Sequence, residues 1–340
     1  MRVLLVCDRS AGHIFPALSI ANYLPKKEVY LFIPSLFFKE YIKKKGFKVL
    51  GKSLPFRNLI LEGFYRFWEA VYLLLKVRPQ RIIGFGGRDT FFLLLLGTFF
   101  FLDTSLYEPN ICLGKTNKVL SLVVKQVYCG FNSLNVHFKK SKWVGIPLRE
   151  GLKKIKKEEA RRELGLSLRK PVVLVLGGSR GSSFLNDIVR RLFSILRADI
   201  QIIHLTGEKD YSYILKFYSE IKKKCFVKSF YERMDVLYSA SDFLISRAGA
   251  LSLAEIVYYH LPVILVPHCK AGNHQINNAI YFEKRGAACV ILQSDSAVIQ
   301  LKRAVEVFLR DRELRKKIRN NLKKINLGVS SYDFYRNVFG

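Results

Sequence analysis

The stretch Ser246-Arg247-Ala248-Gly249-Ala250-Leu251-Ser252-Leu253-Ala254-Glu255 lies between two apolar runs and reads as strand, tight turn, helix, strand. The strand covers Asp242 to Ser246. The small residues Ala248, Gly249 and Ala250 let a ligand approach the free backbone N–H groups that open the helix. Those groups carry the positive end of the helix dipole, so a diphosphate is the natural guest. Glu255 falls about one turn into the helix, where a carboxylate can accept hydrogen bonds from a ribose diol. A second turn of the same kind, Leu174-Val175-Leu176-Gly177-Gly178-Ser179-Arg180-Gly181-Ser182, again carries an apolar strand into a glycine-rich turn before a helix.

Outward from these two turns, strand-like runs alternate with helix-like segments along the whole chain. The runs are Val3 to Val6, Val29 to Ile33, Arg81 to Gly84, Ser105 to Tyr107, Val172 to Leu176, Gln201 to Leu205, Phe226 to Lys228, Phe243 to Ser246, Val263 to Val266 and Ala288 to Leu292. Such alternation predicts an α/β fold with parallel sheets covered by helices on both faces. Gly145-Ile146-Pro147-Leu148-Arg149, followed by a charged helix expected from Glu150 to Leu164, marks a domain boundary. Residues 1–148, with a C-terminal segment 326–340, are expected to form one domain and 149–325 the other. Ligands of such sheets bind beyond the carboxyl ends of the strands, so two facing domains would share a cleft.

The 340 residues suffice for two domains with cores of their own. Lys and Arg number 57 against 27 Asp and Glu, a formal net charge of +30 that favours anionic partners: nucleic acid, phosphorylated substrates or an acidic membrane. The six cysteines (Cys7, Cys112, Cys129, Cys225, Cys269 and Cys289) show no metal-ligand or redox spacing and read as buried thiols of a reducing compartment. The N-terminus shows no signal-peptide pattern, so a cytoplasmic location is expected. The most apolar segment, Phe91 to Leu102, falls short of the roughly twenty residues of a membrane span and is expected to be a buried helix.

Three further features bear on chemistry. Asp8-Arg9-Ser10-Ala11-Gly12-His13-Ile14-Phe15-Pro16-Ala17-Leu18 ends the first strand and delivers His13 to the mouth of the sheet. A histidine there can take a proton near neutral pH, although a lone loop histidine is more often a surface or capping residue. Gly84-Phe85-Gly86-Gly87 follows another strand and serves either close packing or ligand approach. No G-x-G-x-x-G fingerprint, no G-x-x-x-x-G-K-[ST] loop and no Asp-x-Asp pair occurs, which removes support for hydride transfer, ATP hydrolysis and a metal-held diphosphate; no cofactor is expected. Phe64-Tyr65-Arg66-Phe67-Trp68-Glu69-Ala70-Val71-Tyr72-Leu73-Leu74-Leu75 is apolar almost all round, with Arg57, Arg66, Lys76 and Arg78 near it. It reads either as a core helix or as one dipping into an anionic membrane surface through Phe64, Phe67 and Trp68.

Taken together these motifs resemble the MurG family, peripheral membrane transferases that add N-acetylglucosamine to undecaprenyl-diphosphate-linked N-acetylmuramoyl-pentapeptide, the lipid I to lipid II step of peptidoglycan synthesis. Residues 11–18 are similar to the end of the family's first glycine loop, and Gly86-Gly87 to its second. Glu108, Asn110 and Thr116-Asn117-Lys118 resemble the next segment, and Gly145-Ile146-Pro147-Leu148-Arg149 the interdomain one. Gly177-Gly178-Ser179-Arg180-Gly181, Arg247 to Glu255 and His274-Gln275-Ile276-Asn277-Asn278-Ala279 are the specific part.

The resemblance implies the GT-B fold, two Rossmann-like domains with parallel sheets facing across a cleft. It implies an inverting, metal-independent glycosyltransferase at the cytoplasmic face of the membrane. Glu255 would bind the ribose, Ser179 with Ala250, Leu251 and Ser252 the diphosphate, Arg149 its outer phosphate, and backbone near Tyr231 the uracil. His274 and Gln275 would meet the transferred sugar, and His13 would be the base for the acceptor's 4-hydroxyl. Ser10, Ala11, Gly12, Gly86, Gly87 and Asn110 would line the acceptor side. Where the family has Gly-Gly-Thr-Gly-Gly-His, however, this chain has Asp8-Arg9-Ser10-Ala11-Gly12-His13. Arg9 could supply charge in place of bare amides there, with Asp8 working against it.

The alternatives are another GT-B UDP-sugar transferase with a different lipid acceptor, a UDP-sugar epimerase of similar fold, and a nucleic-acid-binding protein. The last would need basic residues interleaved with exposed aromatics on one face. Here the aromatics cluster in one helix and the basic runs are dispersed, so no nucleic-acid partner is expected.

Overall fold

The structure, a computed structural model, describes residues 1–54, 58–132, 140–178, 181–221, 223–269 and 273–340. The chain divides into two compact units, residues 1–149 with 329–340 and residues 150–328.

The first unit runs β1 (Val3–Val6), α1 (Ala11–Ala21), β2 (Val29–Phe32), α2 (Leu36–Lys44), β3 (Lys48–Leu50), α3 (Leu59–Val77), β4 (Arg81–Gly84), α4 (Phe91–Phe99), β5 (Asp103–Glu108), α5 (Lys115–Leu120), β6 (Gln126–Cys129), β7 (Ser141–Trp143) and β8 (Ile146–Pro147). Its sheet has the order β3-β2-β1-β4-β5-β6-β7 with parallel pairing. β1 is buried at every position because both of its faces are covered. Val3 and Leu5 enter one apolar cluster with Ile14, Ala17 and Phe334, whereas Leu4 and Val6 enter another with Leu73, Leu74 and Leu94.

The second unit runs α6 (Lys157–Glu163), β9 (Val172–Leu176), α7 (Ser183–Ile195), β10 (Gln201–Leu205), α8 (Tyr211–Glu220), β11 (Cys225–Lys228), α9 (Met234–Ala240), β12 (Phe243–Ser246), α10 (Ala250–Tyr259), β13 (Val263–Leu265), α11 (His274–Glu283), β14 (Cys289–Val290), α12 (Ala297–Arg310) and α13 (Arg312–Leu322). Its parallel sheet has the order β11-β10-β9-β12-β13-β14. The short strand β15 (Gly328–Val329) then leads to α14 (Ser331–Phe339). That helix returns to the first unit and is anchored by the fully buried Phe334, which meets Tyr107 edge-on at 5.0 Å. Burying a side chain of this size contributes about 1.5–3 kcal/mol.

In both sheets the strand order reverses beside the first strand of the unit, between β1 and β4 and between β9 and β12. Val6 is level with Gly84 and Leu176 with Ser246. The loops leaving each pair therefore start side by side at a topological switch point, where open α/β sheets bind ligands.

Three expectations are corrected. The charged helix is only Lys157–Glu163, since residues 150–156 are not helical. Strands β3, β6 and β7, absent from the sequence reading, are short and half polar. The apolar segment 91–102 is not buried throughout: α4 ends at Phe99, and Phe99, Phe100 and Phe101 are exposed.

Candidate functional site

In the first unit, the loops after β1 and β4 bring His13 and the Gly86-Gly87 turn together. Ser10 opens α1 in extended conformation and makes no side-chain cap, with Ala11, Gly12 and His13 forming the first turn. Gly86 has φ +96°, and a Cβ there would stand 3.2 Å from His13 Nε2 and 3.4 Å from Asn117 Nδ2. The imidazole and the amide thus lie against bare backbone that a side chain would close.

Behind them sits Glu108, at the end of β5 and 3 % exposed. It accepts from Asn117 Nδ2 (2.9 Å), Gly114 N (2.9 Å), Asn110 N (3.1 Å) and Asn110 Nδ2 (2.8 Å). A buried carboxylate with four donors is strongly held. Glu108 gathers the loop from Asn110 to Asn117 into one piece, so the side-chain amide of Asn110 serves that loop. Asn117 Oδ1 is buried with no hydrogen-bond partner among the described residues.

The altered loop residues enter an ionic chain. Arg9 donates to Asp89 (3.0 Å) and Glu62 (2.6 Å), Arg66 to Asp89 (3.0 Å) and also to Glu69, and Arg88 to Glu62 (3.2 Å). Arg9 is therefore not bare charge replacing lost amides. Asp8 lies on Gly87, whose φ is +91° and whose Cβ would fall 2.0 Å from Asp8 Oδ2. Burial pushes the Asp8 carboxyl up to about 6; the amide of Arg9 works against this, and the neighbouring Asp89 adds to it.

The outer face of α3 exposes Ile60 (81 %), Phe64 (66 %), Trp68 (55 %), Tyr72 and Leu75 (66 %). Phe67 is not part of that face: half-buried, it packs edge-on against Phe92 at 5.8 Å. Arg66 is not available to headgroups either, because it is buried in the ionic chain. Arg57 lies outside the described residues. A hollow of about 510 Å³ beside the exposed face is lined by Lys39, Lys52, Tyr65, Trp68, Tyr72 and Lys76. Among the described residues no helix is long and apolar enough to cross a membrane.

In the second unit, the glycine-rich turn after β9 and the N-terminus of α10 share the switch point. Gly249 opens α10 in extended conformation without a side-chain cap, leaving the N–H groups of Ala250, Leu251 and Ser252 as the helix's free donors. Among the described residues, a Cβ added at Gly249 or Gly178 would meet nothing within 4 Å. Ser179 and Arg180 lie outside the described residues. Glu255 is 3 % exposed and accepts from Tyr238 Oη at 2.7 Å, while the Tyr238 ring stacks on Tyr259 at 4.9 Å. The carboxylate is oriented from behind by a phenol on α9.

Two residues quoted in the sequence only as parts of motifs, with no role given them, prove to be structural. Arg247 is buried and donates to Ser182 Oγ (3.0 and 2.5 Å), Val266 O (2.9 Å) and Pro267 O (3.2 Å), which staples the loop after β9 to the end of β13. Burial lowers it to about 10. Asn278 donates to Ala248 O at 3.1 Å and ties α11 to the turn before α10.

Gln275, in the first turn of α11, accepts from His268 N at 3.0 Å, and His274 Nδ1 is buried with no partner among the described residues. Tyr231 follows β11 and meets Phe226 edge-on at 5.3 Å. Arg149 is exposed and ends the first stretch of the first unit. His204, held between Tyr218 and Asn186 at 3.0 Å each, is lowered to about 3 by burial, so it is a neutral structural group.

Known proteins match the whole of this architecture. The family model for the glycosyltransferase family 28 N-terminal domain matches residues 5–129, and that for its C-terminal domain residues 172–330. A UDP-N-acetylglucosamine--N-acetylmuramyl-(pentapeptide) pyrophosphoryl-undecaprenol N-acetylglucosamine transferase from Caldanaerobacter subterraneus subsp. tengcongensis is 32 % identical, covering 99 % of this chain and 98 % of its own. The transferase of the same name from Aquifex aeolicus is 33 % identical over 97 % and 98 %. The crystal structure of Acinetobacter baumannii MurG superposes with a TM-score of 0.78 at 21 % identity, covering 99 % of each chain, which shows the GT-B fold. The chain is a glycosyltransferase of family 28 and belongs within it to the MurG family.

Proposed function

We propose that this chain transfers N-acetylglucosamine from UDP-N-acetylglucosamine to the 4-hydroxyl of undecaprenyl-diphosphate-linked N-acetylmuramoyl-pentapeptide, inverting the configuration at C1. The observation that carries the reading is the likeness to transferases of that name over nearly the entire chain. Each unit also holds a loop pair of suitable chemistry at its own switch point.

In the second unit the free amides at the start of α10, with Ser179, receive the donor's diphosphate, Glu255 the ribose, and His274 and Gln275 the sugar. Backbone near Tyr231 holds the uracil and Arg149 the outer phosphate. As the glycosidic bond to UDP breaks, negative charge grows on the departing phosphate. Cationic and amide donors aimed at it lower the barrier. In the first unit His13 takes the proton of the attacking hydroxyl. Ser10, Ala11, Gly12, Gly86, Gly87 and Asn110 form the surface that the acceptor's diphosphate approaches. Release of UDP from UDP-N-acetylglucosamine should depend on this acceptor, whereas UDP-galactose should support about a tenth of the rate or less. Equal rates with the two donors would favour a transferase of different specificity.

The exposed face of α3 docks the protein peripherally on the cytoplasmic leaflet. Its apolar side chains enter the interface while Lys39, Lys52 and Lys76 meet anionic headgroups. Replacing Ile60, Phe64 and Trp68 together by serine should weaken co-sedimentation with anionic vesicles by about tenfold or more. Unchanged sedimentation of the folded variant would remove α3 from the docking surface.

A further inference from the structure

The loop that departs from the family pattern has put a carboxylate where the family has glycine. Asp8 Oδ2 occupies the place a Cβ on Gly87 would take, 2.0 Å from its ideal position, so the hollow over that positive-φ glycine is filled by an anion. The groups facing Asp8 are mixed. From its own loop Cys7 precedes it, and the amide of Arg9 donates to its Oδ1 at 2.5 Å. Asp89 faces it from the turn after β4, itself held by Arg9 and by Arg66 of α3, while Glu62 of α3 draws on Arg9 from the other side. Arg9 and Arg66 also serve Asp89, Glu62 and Glu69, and the charge of Arg9, which holds Asp8 down, is the smallest of the influences on it.

We propose that Asp8 makes acceptor binding proton-linked: the acceptor's diphosphate seats against the Gly86-Gly87 turn only as Asp8, whose Oδ2 covers Gly87, takes up one proton. This inference rests on the reading that the first unit holds the acceptor. An ionised Asp8 repels the incoming diphosphate across a partly buried, weakly screened gap, whereas the protonated carboxyl can donate a hydrogen bond to it. Burial raises the Asp8 carboxyl to about 6. The diphosphate diester keeps its charge from pH 5.5 to 8.5, so the proton is taken up by the protein.

The test is the KM for a short-chain lipid-linked muramoyl-pentapeptide, measured from pH 5.5 to 8.5 at saturating UDP-N-acetylglucosamine, for the natural chain, Asp8→Asn and Asp8→Gly. The natural chain should show acceptor KM rising up to tenfold per pH unit above about 6. Both variants should hold a flat KM, lower by about tenfold or more at pH 8, with the KM for UDP-N-acetylglucosamine the same in all three.

Stability gives an independent readout. A carboxyl raised in the folded state contributes stability below its unfolded value of 3.8 and loses it as pH rises through about 6. The natural chain should therefore lose Tm relative to Asp8→Asn between pH 5 and 7.5. Acceptor KM values in the variants that track the natural chain at every pH overturn the proposal. Gly86→Ala separates the two ideas. If it raises acceptor KM while the Asp8 variants change nothing, only the proton linkage fails; if it too changes nothing, the acceptor reading fails with it.

Discussion

His13→Ala lowers turnover by about 10²–10⁴, the range lost when a positioned general base is removed, and leaves the affinity for UDP-N-acetylglucosamine within about twofold. The ring sits in the first turn of α1, with Nε2 against the bare backbone of Gly86 and beside the amide of Asn117. These neighbours stay in place when the imidazole goes, because Glu108 gathers the Asn110 to Asn117 loop through four donors of its own. A steady-state assay with lipid-linked acceptor, together with calorimetry of the donor, checks both halves. A rate near that of the natural chain would return His13 to the role of a capping residue.

Glu255→Ala weakens UDP binding by about 30- to 700-fold, the equivalent of about 2–4 kcal/mol for ribose hydrogen bonds to a charged acceptor. Truncation also leaves Tyr238 Oη without the carboxylate it donates to at 2.7 Å. Glu255→Gln, which keeps the volume and the contact with Tyr238, is therefore the cleaner variant and should still cost about tenfold. Isothermal titration with UDP gives the affinity, and a melting curve within a few degrees of the natural chain shows that the fold is kept. Undiminished UDP affinity in a folded Glu255→Gln variant would place the ribose elsewhere.

The central elements of both sheets were legible because each is a continuous buried run followed by small residues. Val3–Val6 and Val172–Leu176 have both faces covered, so period and alternation carried little information and plain hydrophobicity carried it all. The edge strands β3 and β7 were not legible. Lys48 and Lys142 stand on them exposed, and only pairing with an inner neighbour makes those residues strands. The expected helix from Glu150 failed for the opposite reason: charge-rich residues have good helix propensity, yet only the part from Lys157 lies on α9.

On the site side, the residues at strand ends were legible because a strand-to-helix turn with small residues has few other uses. The partners that hold them were not. Arg247, Asn278 and Tyr238 act through residues 17 to 65 positions away in the chain, and no local pattern distinguishes a stapling arginine from a ligand-binding one. Arg66 shows the same limit from the other side. A basic residue in an aromatic helix reads as a headgroup contact, whereas Asp89, 23 positions on, draws it into the interior.

The most direct measurement is transfer of radiolabelled N-acetylglucosamine from its UDP donor to a short-chain, diphosphate-linked N-acetylmuramoyl-pentapeptide, with the product isolated and its new linkage examined by NMR. The account predicts label in a lipid-linked disaccharide-pentapeptide joined through the 4-hydroxyl with inverted, β configuration at C1. Label that remains in the donor or appears as free sugar, or a product of retained configuration, would contradict it.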